Sequence, residues 1–460
     1  MNEEKFERAI EKVFEEPAKL LEEGIEFIEK EEEALVSKKP FRVAEEYWET
    51  IGPGLTTGAA DDDPSGIATY SQTGAQYGPQ LLWLSAFSFP FMAVVQEMCA
   101  RIGLVTGHGL AANIRKSYPR WALYLVTSVL LIANTFNIGA DFGAMAQGVQ
   151  LIFPHSSFAF LVIGFGVLSV LLQIFTTYAR YAKVLKYLSF TLLAYIFAAL
   201  LSRLDWNSAL HHLIIPSIAF DKQQILLICA ILGTTISPYL FFWQTAQEVE
   251  EQNLQGHEDE SLWKQDISRG TITKMRKDVW TGMFFSNAVM FFIIAAAAGT
   301  LFTHGIHNIA TAADAALALR PFAGEAAFYF FAIGIVGVGM LAIPVLAGSS
   351  AYAISESFGF KHGLYRRLKE AYAFYGVIIV SVLIGIILNF IGLDPMKALI
   401  YSAVANGIVA PIALIFIVKL SSDEGLMGEY VNSRFVRIIG WVTIILMAIA
   451  GIAAIGALFV

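Results

Sequence analysis

The sequence contains little cysteine and little charge. It has two cysteines in 460 residues, Cys99 and Cys229, and both lie inside apolar runs. Neither a disulfide framework nor a cysteine metal site is therefore expected. Charged residues make up 15% of the chain, and the net charge of −8 argues against a nucleic-acid partner. The acidic start also lacks the basic-then-apolar pattern of a secretory signal.

Common catalytic motifs are missing as well. The chain has no H-E-x-x-H, no G-x-S-x-G and no nucleophile beside an obvious base. An intramembrane hydrolase is therefore a weak alternative, and activity on a lipid or peptide substrate would be the observation that favours it. We expect neither an enzyme activity nor a cofactor.

The abundant feature is apolar sequence. Apolar residues make up 56% of the chain, and its mean hydropathy is +0.59. They occur in runs of about twenty, the length that crosses a hydrocarbon core of roughly 30 Å. The sequence predicts an all-α polytopic membrane protein. Its eleven predicted segments are 51–77, 80–104, 121–152, 157–177, 182–202, 223–250, 279–302, 323–356, 371–392, 397–419 and 434–459.

The distribution of basic residues predicts the orientation. Lysine and arginine concentrate in the loops at 101–120, 180–186, 264–277 and 361–369, which share one side if the N-terminus is cytoplasmic. Residues 1–46 form an acidic, amphipathic pattern and are predicted to be a cytoplasmic extension. Residues 47–460 are predicted to be the transmembrane domain. We expect a multi-pass protein of the plasma membrane, in contact with the lipid bilayer and monomeric.

The first segment is predicted to be a broken helix. Asp61, Asp62 and Asp63 are followed by Pro64, and ionised groups at this depth are costly unless they face protein or water. Asp63 is a good N-cap, and Pro64 suits the first position of a helix. One half-helix should therefore end near Ala60 and another begin at Pro64. Asp61 and Asp62 are either part of an ion site or a solvated rim beside it.

The sixth segment has a similar break. Ser237 can cap a helix that begins at Pro238, and the carbonyl groups around Thr234 would then be free to bind a cation. Breaks in the first and sixth segments are expected of a five-plus-five inverted repeat with its site at the midplane. The two repeats would span approximately 51–202 and 223–419. A simple proline kink without a ligand role is the alternative for Ser237 and Pro238.

These residues resemble a known family. GPG, then DP followed by IAT in the first segment, and QEMCARIGLVTGHGLAANIR at 96–115, are similar to the NRAMP family of divalent-metal transporters. The resemblance implies the leucine-transporter fold and a metal bound between the first and sixth helices. The family holds its metal with the Asp and Asn of a DPGN motif, a backbone carbonyl and a Met.

The ligand positions implied by this resemblance differ from the family pattern. The Asp is Asp63, but Gly66 replaces the Asn, Ser237 the Met and Tyr239 the following His, with Thr234 at the carbonyl position. Losing the thioether favours ions that prefer oxygen, such as Mg²⁺, Ca²⁺ and Mn²⁺. The smaller side chains should also enlarge the site. A larger site suits Mg²⁺, because this ion keeps several of its waters. The pattern resembles the NRAMP-related magnesium transporter branch, with Mn²⁺ as a further substrate.

The family's proton-coupling positions are also altered. Asn137 and Ala140 lie where the third helix would carry acids, and Gln244 replaces a second histidine of the sixth helix. Since these groups do not titrate near neutrality, transport is predicted not to be coupled to protons. Asp141 leaves a coupled alternative open, because shifting the alignment by one residue would restore an acid. Asn406 of the tenth segment could touch the ion's hydration shell.

Other transport functions remain as alternatives. A conventional proton-coupled Mn²⁺/Fe²⁺ carrier is the nearest, and a cation channel would look the same in sequence. An amino-acid transporter of the same fold is disfavoured, because three aspartates would repel a substrate carboxylate.

Overall fold

The computed structural model describes residues 52–176, 178–201, 205–219, 221–254, 267–309, 312–392 and 395–459. The predicted extension at 1–46 lies outside the described residues. All regular secondary structure of the described part is helical. Its α-helices are α1 Pro53–Asp61, α2 Pro64–Tyr77, α3 Trp83–Thr106, α4 Leu110–Ser117, α5 Arg120–Ile152, α6 Phe158–Phe175, α7 Tyr178–Leu188, α8 Leu193–Leu201, α9 Trp206–Ile214, α10 Lys222–Thr235, α11 Pro238–Leu254, α12 Arg269–Thr300, α13 Ala312–Phe358, α14 Tyr372–Leu388, α15 Pro395–Leu420, α16 Glu424–Met427 and α17 Arg434–Phe459.

Short 3₁₀ turns occur within and between these helices. They are Gly78–Leu81, Ser189–Leu192, Phe302–His304, Leu368–Glu370 and Gly428–Tyr430. The turn at Ser189–Leu192 divides the fifth predicted segment into α7 and α8. In α13, Gly324 has a φ of 86° and interrupts the helix before its long apolar part.

The helices account for all eleven predicted segments. Nine described helical stretches are long and apolar enough to cross a membrane. The apolar helix α14 is shorter, and the first segment consists of the two half-helices α1 and α2. The predicted breaks are confirmed, since α1 and α2 are separated at Asp62 and Asp63, and α10 and α11 at Ile236 and Ser237.

Helix α12, which corresponds to the seventh predicted segment, begins ten residues earlier than predicted. It starts at Arg269 rather than near 279, and Ser268 caps it by accepting a hydrogen bond from the Thr271 amide (3.1 Å). Hydropathy could not show this extension, because the added turns are polar and lie outside the apolar run.

The broken helices lie in the interior of the helix bundle. The half-helices α1 and α2 both pack on α12, while α2 also contacts α5, α10 and α15. Glycines permit the closest of these contacts: a Cβ atom at Gly58 would lie 2.3 Å from the carbonyl oxygen of Gly282. Small residues at such interfaces let membrane helices approach closely. The unwound segment at Asp62 and Asp63 is therefore surrounded by protein.

Candidate ion-binding site at the helix breaks

The three aspartates at the break in the first segment are buried and differ in their hydrogen bonding. Asp61, Asp62 and Asp63 each have 0% exposure, so the solvated-rim interpretation of the first two is wrong. Asp61 Oδ2 accepts a hydrogen bond from Ser286 Oγ of α12 (2.6 Å). The carboxylate oxygens of Asp62 receive no hydrogen bond from the described residues. The packing of α2 and α12 around the break accounts for the burial.

Asp63 is held at the centre of a hydrogen-bond network. It is the N-cap of α2, as predicted: Oδ1 accepts from the Gly66 amide (2.8 Å) and from Ser65 Oγ (2.5 Å). Oδ2 accepts from Asn137 Nδ2 of α5 (2.7 Å) and lies 3.5 Å from the Tyr239 hydroxyl. Hydrogen bonds of this kind stabilise a carboxylate and fix its orientation.

The sixth-segment residues meet the first break directly. Thr234 Oγ1 donates to the Asp61 carbonyl oxygen (3.3 Å), and the Tyr239 hydroxyl donates to the Ala60 carbonyl oxygen (2.9 Å). Ser237 Oγ donates to the carbonyl oxygens of Gly233 and Thr234 at the end of α10. The sequence predicted a free carbonyl at Thr234, but in the structure this carbonyl accepts a hydrogen bond from Ser237. Its second lone pair can still bind a cation.

The space expected at Gly66 is not present in this conformation. A Cβ atom there would lie 3.1 Å from Thr234 Oγ1, 3.2 Å from the Asp61 carbonyl oxygen and 3.4 Å from a ring carbon of Tyr70. These three groups occupy the volume that a larger side chain at this position would fill. The site is therefore not enlarged in the described conformation, contrary to the prediction. A hydrated ion would require the two breaks to separate.

Asn406 lies on α15, near the break in the sixth segment. The adjacent Gly407 packs on α10, where its Cβ position would be 3.3 Å from the Gly233 Cα. Asn406 is buried, and its side-chain oxygen accepts no hydrogen bond from the described residues. The helix packing thus places this amide at the level of the break, while no direct contact with Asp63 is seen.

Several acceptor oxygens of these elements have no hydrogen-bond donor within the described part of the chain. Among the described residues they include Asp61 Oδ1, both carboxylate oxygens of Asp62 and of Asp141, and Asn406 Oδ1. A buried acceptor costs free energy unless a donor or a cation satisfies it. Metal ions and their bound waters supply those interactions. No group of three or more His, Cys, Asp or Glu side chains within the described ranges is arranged as a metal cluster, so neutral oxygens and water would complete a ligand shell.

Three residues that other helices contribute to the network were not predicted as site residues. Asn137 bridges Asp63 to α15, since its Oδ1 accepts from Ser402 Oγ (2.9 Å). Ser286 binds Asp61. Asn137 could have been identified because it occupies a position where an acid was expected. The sequence carries no comparable signal for the two serines, which are more than 220 positions from the residues that the first break contributes.

The chain matches a known protein family and is similar in fold to solved structures of transporters. Residues 54–457 match the family described as natural resistance-associated macrophage protein-like, or Nramp. The fold is similar to a manganese transporter of Eremococcus coleocola in complex with an aromatic bis-isothiourea substituted compound. The identity is 18%, over 89% of this chain and 86% of that chain, with a TM-score of 0.66. Mhp1, a nucleobase-cation-symport-1 family transporter, is similar over 88% and 90% of the two chains at 15% identity, with a TM-score of 0.55. The predicted leucine-transporter fold is confirmed.

Proposed function

The chain belongs to the Nramp family, and from this we propose that it is a divalent-metal transporter that carries Mg²⁺, and also Mn²⁺, across the plasma membrane. The ion travels with much of its water shell and without coupled protons. The protein is a multi-pass membrane transporter rather than an enzyme. Its transported substrates are its only proposed ligands at this site, it acts as a monomer, and its N-terminus is cytoplasmic.

The chemistry of the Asp63 surroundings carries the proposal. The side chains that contact this carboxylate are a hydroxyl, an amide and a phenol, from Ser65, Asn137 and Tyr239. Oxygen ligands suit Mg²⁺ and Mn²⁺, whereas a thioether suits softer metals. Ser237 stands where the family's Met would be, and its hydroxyl is bonded to α10.

The unpartnered acceptors support transport of a hydrated ion. Both oxygens of Asp62 and one of Asp61 lack protein donors, and metal-bound water is a strong donor. Mg²⁺ gives up water reluctantly and usually contacts one or two carboxylates. When the two breaks separate, the proposed ion therefore sits between them, near Asp63, Gly66, Thr234 and Tyr239. Its waters face Asp61, Asp62 and Asn406.

The neutral partner of Asp63 supports uncoupled transport. On α5 this partner is the amide of Asn137, which accepts from Ser402 and donates to the carboxylate. At the second histidine position, Gln244 donates to Glu248 Oε1 (2.9 Å). Neither amide exchanges a proton near neutral pH.

A proton-coupled Mn²⁺/Fe²⁺ carrier is the second candidate, and Asp141 favours it. This residue lies one helical turn after Asn137 on α5, is fully buried, and has no hydrogen-bond donor among the described residues. A carboxylate in that position could carry a proton. The two candidates differ in whether metal uptake acidifies the receiving compartment.

A selectivity reversal tests the proposed ion. Ser237→Met restores a thioether, and we expect it to raise the ratio of Cd²⁺ to Mg²⁺ uptake in proteoliposomes by about tenfold or more, since a thioether contact favours soft ions. Ser237→Leu is the matched control, because it adds similar volume without sulfur. Wild-type protein that takes up Mn²⁺ but no Mg²⁺ would contradict the proposal.

A further inference from the structure

A cavity that contains carboxylate and imidazole groups lies away from the helix breaks. Its volume is about 190 Å³, and it is lined by the ends of α3, α11 and α13, by the start of α4 and by the loop that follows α13. The carboxylate and imidazole groups that face it are those of His108, Glu250, Glu356 and His362. Glu250 is twelve residues after Pro238, so it lies about 18 Å along α11 from the break.

The carboxylate of Glu356 is fixed with one oxygen facing the cavity. Oε2 accepts a hydrogen bond from the Ala112 amide in the first turn of α4 (3.0 Å). The N-terminus of a helix favours a negative charge. At Gly109 a Cβ atom would lie 1.8 Å from Oε1, so the glycine leaves room for this oxygen.

The imidazole of His362 faces that oxygen and, in its neutral form, presents a lone pair to it. Nδ1 lies 2.9 Å from the Phe360 carbonyl oxygen, which can only accept, so Nδ1 carries the hydrogen. In the neutral ring, Nε2 is then an acceptor, and it faces Glu356 Oε1 at 3.8 Å. This distance is too long for a hydrogen bond. Two ligands of one metal ion, each at about 2.0–2.2 Å, are separated by about 3–4 Å.

The loop that carries His362 is held in place by the other glutamate. Glu250 accepts hydrogen bonds from the Leu364 amide (2.7 Å) and the Tyr365 amide (3.1 Å). The nearby guanidinium groups bind backbone instead: Arg115 donates to the Glu356 carbonyl oxygen and Arg366 to that of His362. The two ligand atoms are thus positioned before any ion arrives, which favours binding.

We propose that this cavity is a second divalent-cation site, in which Glu356 Oε1 and His362 Nε2 bind a transition metal such as Mn²⁺. Water completes the shell, and the Nδ1 contact to a backbone carbonyl is the usual support for a metal-bound histidine. An imidazole ligand suits transition metals, and Mn²⁺ among them also accepts the carboxylate and water oxygens that complete this site. A bound ion would join the loop after α13 to that helix, independently of which ion is transported.

Mn²⁺ binding to the full chain with Asp63→Ala tests the site, because this change removes the central carboxylate of the transport site. We expect the purified variant to retain one Mn²⁺ and to show nitrogen coupling from a bound imidazole in pulsed electron paramagnetic resonance. Adding His362→Ala should remove that coupling and weaken binding by about tenfold or more. Adding His155→Ala, an exposed histidine in the loop between α5 and α6, is the matched control and should change neither.

Glu356→Gln provides an independent test of the carboxylate. Glutamine can still accept from the Ala112 amide, so the fold is kept while the charge is lost, and Mn²⁺ binding should weaken to a similar extent. Asp63→Ala protein that binds no Mn²⁺, or whose nitrogen coupling survives His362→Ala, would overturn the proposal. Glu356 and His362 would then form an imidazolium–carboxylate ion pair. Failure of the transport proposal would appear in wild-type uptake instead, so the two outcomes are distinguishable.

Discussion

At the scale of single residues, the orientation of Asp63 depends on donors that come from distant parts of the chain. Ser65 and Gly66 follow it directly, while Asn137 belongs to α5 and Tyr239 to α11. Its role as an N-cap could be predicted, because Pro64 restricts the local backbone. The Asn137 contact could not be predicted, because it depends on tertiary packing.

Replacing Asn137 should impair transport. Asn137→Leu removes the hydrogen bond to Asp63 Oδ2 (2.7 Å). Since a hydrogen bond to a charged group contributes about 1.5–3 kcal/mol, we expect metal uptake to fall about 10- to 100-fold. The measurement is initial uptake into proteoliposomes at equal protein content. Asn207→Leu, at an exposed position of α9, is the control, and unchanged uptake in Asn137→Leu would contradict the assigned role.

Replacing Asp141 should stabilise the protein. Its carboxylate is buried and receives no hydrogen bond from the described residues, and an uncompensated buried charge destabilises a fold. Asp141→Asn should therefore raise the thermal midpoint in detergent, corresponding to about 1 kcal/mol or more. Asp205→Asn is the control at an exposed N-cap. A lower midpoint for Asp141→Asn would show that the carboxylate has a stabilising partner.

At the scale of elements, α1 is fixed to α12 by glycine contacts and by a carboxylate. Cβ atoms at Gly54 and Gly58 would lie 2.6 Å and 2.3 Å from backbone atoms of α12. Asp278 of α12 accepts hydrogen bonds from the amides of Gly52 (2.8 Å) and Gly54 (2.7 Å). Helix α1 has no side-chain cap of its own, so a neighbouring helix supplies it.

A larger side chain at Gly58 should prevent this packing. In Gly58→Val, the added carbon would overlap the Gly282 carbonyl, and overpacking of this kind costs about 1–3 kcal/mol or more. We expect a lower thermal midpoint and less folded protein by size-exclusion chromatography. Gly456→Val is the matched control, because a Cβ atom at Gly456 would meet nothing within 4 Å. Equal stability of the two variants would contradict the described packing.

Removing the carboxylate of Asp278 should loosen the start of α1. Asp278→Ala leaves the amides of Gly52, Gly54 and Leu55 without their acceptor, and loss of a cap costs about 0.5–2 kcal/mol. Hydrogen exchange should become faster within Pro53–Asp61. Asp423→Ala, which removes the cap of α16 instead, should leave that peptide unchanged, and protection that survives Asp278→Ala would contradict the contact.

At the scale of the whole molecule, the architecture was largely predictable because lipid requires long apolar helices with satisfied backbones. The broken first and sixth helices were predictable from Asp63–Pro64 and Ser237–Pro238. The polar start of α12 at Arg269 and the interruption at Gly324 carry no hydropathy signal. The closed packing around Gly66 was not predictable either, since neighbours from α10 and α2 occupy the space that a missing side chain leaves.

The most direct test of the account is Mg²⁺ uptake into proteoliposomes, with internal pH recorded in the same vesicles and Asp63→Ala as the control. The account predicts uptake that requires Asp63, is competed by Mn²⁺ and leaves internal pH unchanged. Uptake of Mn²⁺ with internal acidification, and no uptake of Mg²⁺, would contradict it and identify a proton-coupled carrier.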